Sequence, residues 1–237
     1  MAMTLGQVMT ELEARGSEQV RAIFRRHGGV EPMFGVLIAE SKKILKKAGP
    51  DHALALELWE TGNYDAMYLA GLMADPQAIT ARQLDHWADT ATSPGLAEYA
   101  VAWVAAESPH GAGRARKWIE SKRELIADAG WATWGGVVTL VPDAELDLDE
   151  IGALLDRVEE TLHDERNYVR YTMNGFVIAV GSCVAPFHER ALAVAKSLGK
   201  VHVEMGNTAC KVPAAGEYIA KVVARYGVGR KRKTLRC

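Results

Sequence analysis

Residues 52–75, HALALELWETGNYDAMYLAGLMAD, carry the pattern that decides the fold. Leu54, Leu58 and Trp59 lie in an Ala-rich stretch that ends at the break Thr61-Gly62-Asn63. After the break, apolar residues recur at spacings of three and four, at Tyr64, Met67, Tyr68, Leu72 and Met73. This spacing places side chains on one face of an α-helix, and Gly and Asn favour a turn. The stretch therefore predicts two short helices joined by a tight turn.

The same helical spacing recurs towards the C-terminus. It is found at Leu154, Leu155, Val158 and Leu162, and again at Leu192, Ala195 and Leu198. Breaks containing Gly or Pro recur at about 40 residues, the length of a helical-hairpin repeat. The chain is therefore predicted to be all-α, an α-solenoid or superhelix of HEAT-like antiparallel helix pairs, with one helical domain over residues 1–225 and a basic tail over 226–237. Only Val201–Glu204 alternates like a short strand.

Composition fits this class and shows an uneven distribution of charge. The 237 residues are 49% hydrophobic, 24% charged and only 7% aromatic, which argues against disorder and against a β-rich fold. The formal charge is −2, from 28 Lys and Arg against 30 Asp and Glu. Residues 200–237 hold nine of the bases and two of the acids, a net +7, so residues 1–199 carry −9. Such asymmetry is typical of a basic tail on an acidic body.

Several classes of site find no support in the sequence. The three cysteines show no CxxC spacing, so neither a metal site nor a disulfide framework is expected. HExxH, P-loop and GxSxG motifs do not occur, and we expect no cofactor. No apolar run reaches the roughly 18 residues of a membrane span. These features predict a cytoplasmic protein without a membrane segment, and they leave its oligomeric state open.

The stretch Asp164–Arg170, DERNYVR, resembles the DNA alkylation repair family, the AlkD-like HEAT-repeat DNA glycosylases. Four further stretches resemble that family in order and spacing, at residues 52–59, 63–75, 84–87 and 131–138. The likeness covers roughly residues 30 to 200. It implies a solenoid of HEAT-like repeats whose concave groove faces DNA.

The resemblance also implies an activity, the removal of alkylated, positively charged purines. A cationic base leaves readily, so the chemistry chiefly needs a carboxylate that stabilises an oxocarbenium-like sugar. Aligned on the local motifs, the groove Trp of the family falls on Trp87 and its catalytic Asp on Ala91. Asp89 and Glu98, the nearest carboxylates on either side, are then the candidate catalytic residues.

Three further family positions carry other residue types in this chain. The two Arg positions fall on Thr133 and Trp134, and the second groove Trp falls on Gly175. None of these residues can hold a phosphate or stack on a base as the family residue does. The resemblance therefore favours a DNA-binding member of the family with repair activity lost or altered, over an active alkylpurine glycosylase.

The candidate DNA-contacting residues form three groups. The first group lies at the DERN-like motif and combines cations with polar groups: Arg166, Asn167, Arg170 and Tyr171. The second is a basic cluster near the C-terminus: Arg230, Lys231, Arg232 and Lys233. Trp87, Trp131 and Trp134 are candidates for an aromatic groove. Each group also has a structural interpretation. The first could form ordinary surface ion pairs on a helix capped by Asp164, the second a solubilising tail, and the third a core.

Two kinds of partner follow from these groups. DNA, duplex or branched, would contact the basic end with an affinity that falls steeply with salt. The −9 body favours instead an acidic groove that grips a basic protein, which makes the chain an interaction scaffold. The sign of the charge on the concave face distinguishes the two.

Overall fold

A computed structural model describes residues 3–236, so Met1, Ala2 and Cys237, the last residue of the predicted tail, lie outside it. The α-helices are α1 (Leu5–Arg15), α2 (Glu18–Arg26), α3 (Ile38–Ala48), α4 (His52–Glu60), α5 (Tyr64–Met73), α6 (Ala81–Thr90), α7 (Pro94–Leu96), α8 (Ala102–Glu107), α9 (Gly111–Trp118), α10 (Glu124–Leu140), α11 (Leu148–Thr161), α12 (Asn167–Cys183), α13 (His188–Leu198) and α14 (Ala215–Tyr226). A π-helical turn, Ala97–Val101, joins α7 to α8, and 3₁₀ turns span Asp143–Glu145, Leu162–Asp164 and Ala185–Phe187.

The helices stack as pairs in two layers. In each pair a first helix (α4, α6, α9, α11 or α13) is followed by an inner helix (α5, α7–α8, α10, α12 or α14). The inner helices pack on one another, with α10 between α8 and α12 and with α12 against α14. The predicted all-α solenoid of HEAT-like pairs is therefore confirmed. The strand predicted at Val201–Glu204 is wrong, because this segment is extended without a partner strand among the described residues.

Side-chain caps explain where the helices begin. The Asn63 side chain accepts the backbone N–H groups of Asp65 and Ala66 at 3.1 and 3.2 Å, which starts α5 directly after the break read from the sequence. Thr80 and Gln83 form a reciprocal capping box at the start of α6. These signals lie within a few residues of the helix starts, so they could be read from the sequence.

A buried carboxylate ties the first helices to the repeats. Asp65, on α5, accepts the backbone N–H groups of Phe34, Gly35 and Val36 at 2.6, 3.0 and 2.8 Å. Trp59 and Trp87 stack in the core of these first repeats, with ring centroids 4.3 Å apart and planes 9° from parallel. The segment between α2 and α3 is thereby held against α5.

Replacing either of two glycines in the inner helices by Ala should change the free energy of unfolding, in opposite directions. A Cβ on Gly175, in α12, would meet nothing within 4 Å, so Gly175→Ala should raise the free energy of unfolding by about 0.5–1 kcal/mol through helix propensity. A Cβ on Gly71, in α5, would lie 2.7 Å from the Cα of Ala100, so Gly71→Ala should lower it by about 1–3 kcal/mol through overpacking. Urea denaturation of both variants tests this pair, and shifts of the same sign would contradict it.

Candidate nucleic-acid interface

The basic C-terminal segment packs along one edge of the solenoid. We call residues 229–236 the strap, because they cross the C-terminal ends of successive inner helices. Gly229 N–H donates to the Ser182 carbonyl of α12 at 3.0 Å, and Arg232 N–H donates to the Thr139 carbonyl of α10 at 3.0 Å. Lys231 Nζ reaches the Val138 carbonyl at 2.8 Å and Asp143 Oδ1 at 2.7 Å. The amine of Lys231 is thus placed at a helix C-terminus, where a cation is favourable.

The last residues of the strap are bound to Glu107, at the end of α8. Its carboxylate accepts the Thr234 hydroxyl at 2.5 Å, the Leu235 N–H at 2.7 Å and Arg236 Nη2 at 2.8 Å. Burial alone would raise the pKa of Glu107, but these hydrogen bonds and the Arg236 charge outweigh it and hold that pKa below its usual value. Arg236 Nη1 also donates to the Ala74 carbonyl, beyond α5, at 2.6 Å.

Two cations of the strap are bound to the protein, and three others are exposed to solvent. The side chains of Lys231 and Arg236 are only 19% and 18% exposed. Arg230, Arg232 and Lys233 are exposed, and none of the three enters an ion pair within residues 3–236. On the neighbouring α14, the cations of Lys221 and Arg225 are also exposed and lie over the rings of Tyr218 and Tyr226. The last helix and the edge that the strap follows therefore present unpaired positive charge to solvent.

At the start of α12 the predicted contact residues are largely engaged inside the protein. Arg166 Nη1 donates to the Ser121 carbonyl at 3.0 Å and pairs with Glu165 at 3.3 Å. Asp164 does not cap the helix as expected, because α12 begins only at Asn167 and Asp164 belongs to the preceding 3₁₀ turn. A carboxylate from another helix takes its place, since Glu124 accepts the Tyr168 N–H at 2.8 Å.

Asn167 holds the long loop that connects α13 to α14. Its side chain accepts the Glu204 N–H at 2.7 Å and donates to the Glu204 carbonyl at 3.0 Å. Two turns further along α12, Asn174 donates to the Pro213 carbonyl at 3.0 Å. Arg170 is half-buried next to Asn167, whose Oδ1 lies 3.5 Å from its Nη2. The loop is thereby laid along α12.

The candidate groove tryptophans lie in the core. Trp87 is 1% exposed, in the stack with Trp59, and Trp134 is 2% exposed. Trp131 is also 1% exposed, but it packs edge-on against Phe176 at 5.4 Å and lines an open cleft. The structure brings one of these three rings to a surface cavity, and the proposed DNA contacts of all three stay predictions.

That cavity, which we call the inner cleft, opens on the inner helices. It has a volume of about 250 Å³ and lies between α8, α10 and α12. Tyr99, Trp103 and Tyr171 contribute aromatic groups, and Glu98 is its buried acid. Small residues of α10 and α12, among them Gly135 and Gly175, leave it open, and Pro213, Arg232 and Leu235 of the C-terminal segments border it.

The two candidate acids differ completely in environment. Asp89 is 61% exposed and pairs with Arg123, whose Nη2 also donates to the Asp89 carbonyl at 2.7 Å, away from the inner cleft. Glu98 lies in the π-helical turn, and burial raises its pKa to about 7 against the effect of a hydrogen bond with Tyr99. Burial also raises the pKa of Asp128 well above its usual value, and the charge of Glu98 adds to this.

Sequence reasoning missed much of the inner cleft. Tyr99 and Trp103 both line the cleft and Tyr99 is 39% exposed, yet neither is among the candidate residues that the sequence indicated. A π-helical turn adds one residue to a helical turn and often marks a functional site. The π-helical turn shifts Glu98 and Tyr99 out of the regular 3.6-residue period. The spacing of apolar residues in the sequence therefore did not indicate that these two residues face the cleft.

Neither a metal-ligand cluster nor a single membrane-spanning helix occurs among the described residues. Within residues 3–236 no group of three His, Cys, Asp or Glu side chains is arranged to hold a metal ion. Across the same residues no single helix is long and apolar enough to cross a bilayer. Among them, only α12 taken together with residues 185–198 reaches the length and apolar composition of a membrane span, and these two segments meet at a bend of 113°.

Comparison with known proteins identifies the class. The family described as "DNA alkylation repair enzyme" matches residues 8–219, so the chain belongs to that family and the resemblance read from the sequence is confirmed. This chain is 38% identical to the uncharacterized protein Lin0241 of Listeria innocua and to the uncharacterized protein Lmo0209 of Listeria monocytogenes. Each alignment spans 225 residues and covers 92% of this chain and 97% of the relative.

A solved structure matches the whole fold. It comes from work on "a new family of proteins related to the HEAT-like repeat DNA glycosylases with affinity for branched DNA structures". The TM-score is 0.90 at 38% sequence identity, over 99% of this chain and 100% of the other. The similarity therefore includes the C-terminal segments as well as the repeats.

Proposed function

We propose that this chain binds branched DNA through the strap and α14, without releasing alkylated purines. The observation that carries the proposal is the match over the full chain to a protein with affinity for branched DNA structures. The outward cations Arg230, Arg232 and Lys233 support it, because unpaired cations at one edge can replace the counterions of several phosphates.

The distribution of charge supports contact at this edge in particular. Residues 1–199 carry a net −9 and would repel a duplex laid along the body. The excess positive charge of residues 200–237 is presented by α14 and by the strap along one edge, where a cluster of phosphates from more than one DNA arm can approach. Branched DNA supplies such a cluster, and a single linear arm supplies fewer phosphates to the same patch.

The positions that would carry glycosylase chemistry support the second half of the proposal. Ala91 has no carboxylate to stabilise a sugar cation, and the buried Thr133 hydroxyl donates to the Ala129 carbonyl of its own helix at 2.6 Å. Asp89 is neutralised by Arg123 at the surface. Glu98 does lie in an aromatic cleft, so it is the acid that would be used if the chain did retain glycosylase activity.

Binding and cleavage can be measured on one sample. We expect fluorescence anisotropy at 50–200 mM KCl to show about tenfold or tighter binding to a three-way junction than to a linear duplex of the same sequence, with log affinity falling linearly with log salt. Absence of junction binding at 50 mM KCl would overturn the DNA-binding proposal, and equal affinity for junction and duplex would overturn the preference for branched DNA. Release of methylated purines from alkylated DNA, lost in Glu98→Gln, would establish the glycosylase instead.

A further inference from the structure

The inner cleft combines features that suit a single planar ring. Tyr99 is 39% exposed and meets Trp103 edge to face, with centroids 5.2 Å apart and planes at 78°. Tyr171 lines the cleft from α12. Aromatic side chains of this kind stack on nucleobases regardless of sequence. The volume of about 250 Å³ is below the roughly 300 Å³ at which pockets begin to hold drug-sized ligands, so one ring system fits better than a larger molecule.

The space exists because the inner helices carry small residues where they border the cleft. A Cβ on Gly175 would meet nothing within 4 Å, and one on Gly135 would meet only Ala179 and Phe176, near 4 Å. The family resemblance predicts Trp at the position of Gly175, so this chain lacks the ring that would fill the opening. The cleft is therefore open because this chain has Gly at positions 135 and 175.

The cleft has an acidic residue inside and a basic residue at its border, which matches a nucleotide whose base enters and whose phosphate stays outside. Glu98, only 9% exposed, lies inside, and the exposed Arg232 lies at the border. The backbone of Arg232 is fixed by its hydrogen bond to the Thr139 carbonyl, so its side chain starts from a fixed position at the border of the cleft. A base entering between the aromatic rings would leave its phosphate at Arg232 and present its edge to Glu98.

We propose that the inner cleft accepts one unpaired nucleobase of the bound DNA, guanine by preference. An ionised carboxylate only accepts hydrogen bonds, and the Watson–Crick edge of guanine offers two neighbouring N–H donors. Thymine presents carbonyl oxygens on both sides of its single donor and would be repelled. The inference rests on the proposed function, because branched DNA brings unpaired bases to the strap, where extruding a base costs least.

Free nucleotides test the cleft without DNA binding. At pH 8 we expect dGMP to quench the fluorescence of Trp103 and Trp131 saturably, with dTMP weaker by about tenfold and deoxyribose 5-phosphate inactive. Glu98→Gln should weaken dGMP binding about tenfold through loss of the charged acceptor. Gly175→Leu should abolish it by filling the cleft, whereas Gly113→Leu, at an equally open site on α9, should leave it unchanged.

A junction carrying one unpaired base separates this inference from the proposed function. The protein should bind a three-way junction with a single unpaired dG at the branch point about tenfold more tightly than the same junction with an abasic site there. In Glu98→Gln and Gly175→Leu this difference should shrink. Equal affinity of the wild type for both junctions overturns the inference and leaves branched-DNA binding intact. Absence of binding to either junction defeats the proposed function, while dGMP quenching still reports on the cleft.

Discussion

Replacing Arg230, Arg232 and Lys233 together by Gln should weaken junction binding by about 10²–10³-fold near 0.1 M salt. Each phosphate contact contributes about 0.9 to the slope of log affinity against log salt, so the slope should become shallower by about 2.7. The fold should be unaffected, because these side chains are exposed and form no ion pair within the described residues. Anisotropy titrations of both proteins at several KCl concentrations measure the two quantities.

A matched variant separates the strap from net charge. Lys46, Arg82 and Lys196 are also exposed, and they lie on α3, α6 and α13 and not on the helices whose ends the strap crosses. Changing these three to Gln alters the net charge by the same amount and should reduce affinity by less than about threefold, since salt screens exposed charges that do not contact a phosphate directly. If both triple variants lost affinity equally, the strap would not be the interface.

Replacing Glu98 by Gln should stabilise the protein above neutral pH by about 3 kcal/mol. Burial raises the pKa of Glu98 from 4.5 to about 7, so between these values the folded state binds more protons than the unfolded state. Wild-type stability therefore falls as the pH rises from about 4.5 to 7, and a pKa difference of this size is worth about 3 kcal/mol. Gln keeps the shape and cannot ionise, so the variant avoids this loss.

Urea denaturation at pH 5, 6, 7 and 8 measures the difference between Glu98→Gln and wild type. It should be below about 1 kcal/mol at pH 5, grow to about 3 kcal/mol near pH 7 and then level off. Glu160→Gln, at an exposed position of α11, is the matched control and should show no such growth. A pH-independent difference would show that Glu98 is not a desolvated acid. Gained stability with weakened dGMP binding would identify Glu98 as a ligand contact rather than a packing residue.

The helical pairing could be predicted from the sequence, and most of the site could not. The spacing in residues 52–75 and the caps at Asn63 and Thr80 are local, and α4, α5 and α6 begin where those signals lie. The position of Glu98 depends on a π-helical turn, which no apolar period reveals. The sequence leaves Trp87 open between a groove ring and a core ring, and the structure buries it against Trp59, because a large ring in a solenoid also serves to fill the space between helices.

The sequence by itself determined the all-α repeats, the family and the excess of positive charge near the C-terminus, because helix periodicity, short motifs and charge are written in neighbouring residues. Only the tertiary structure decided what that charge does. Lys231 meets Val138 across 93 residues and Arg236 meets Ala74 across 162, so the basic end is an ordered strap with two anchored cations and three outward ones. The same long-range packing brings Tyr99, Tyr171 and Arg232 to one cleft, since contacts between distant segments depend on how the layers stack and not on local spacing.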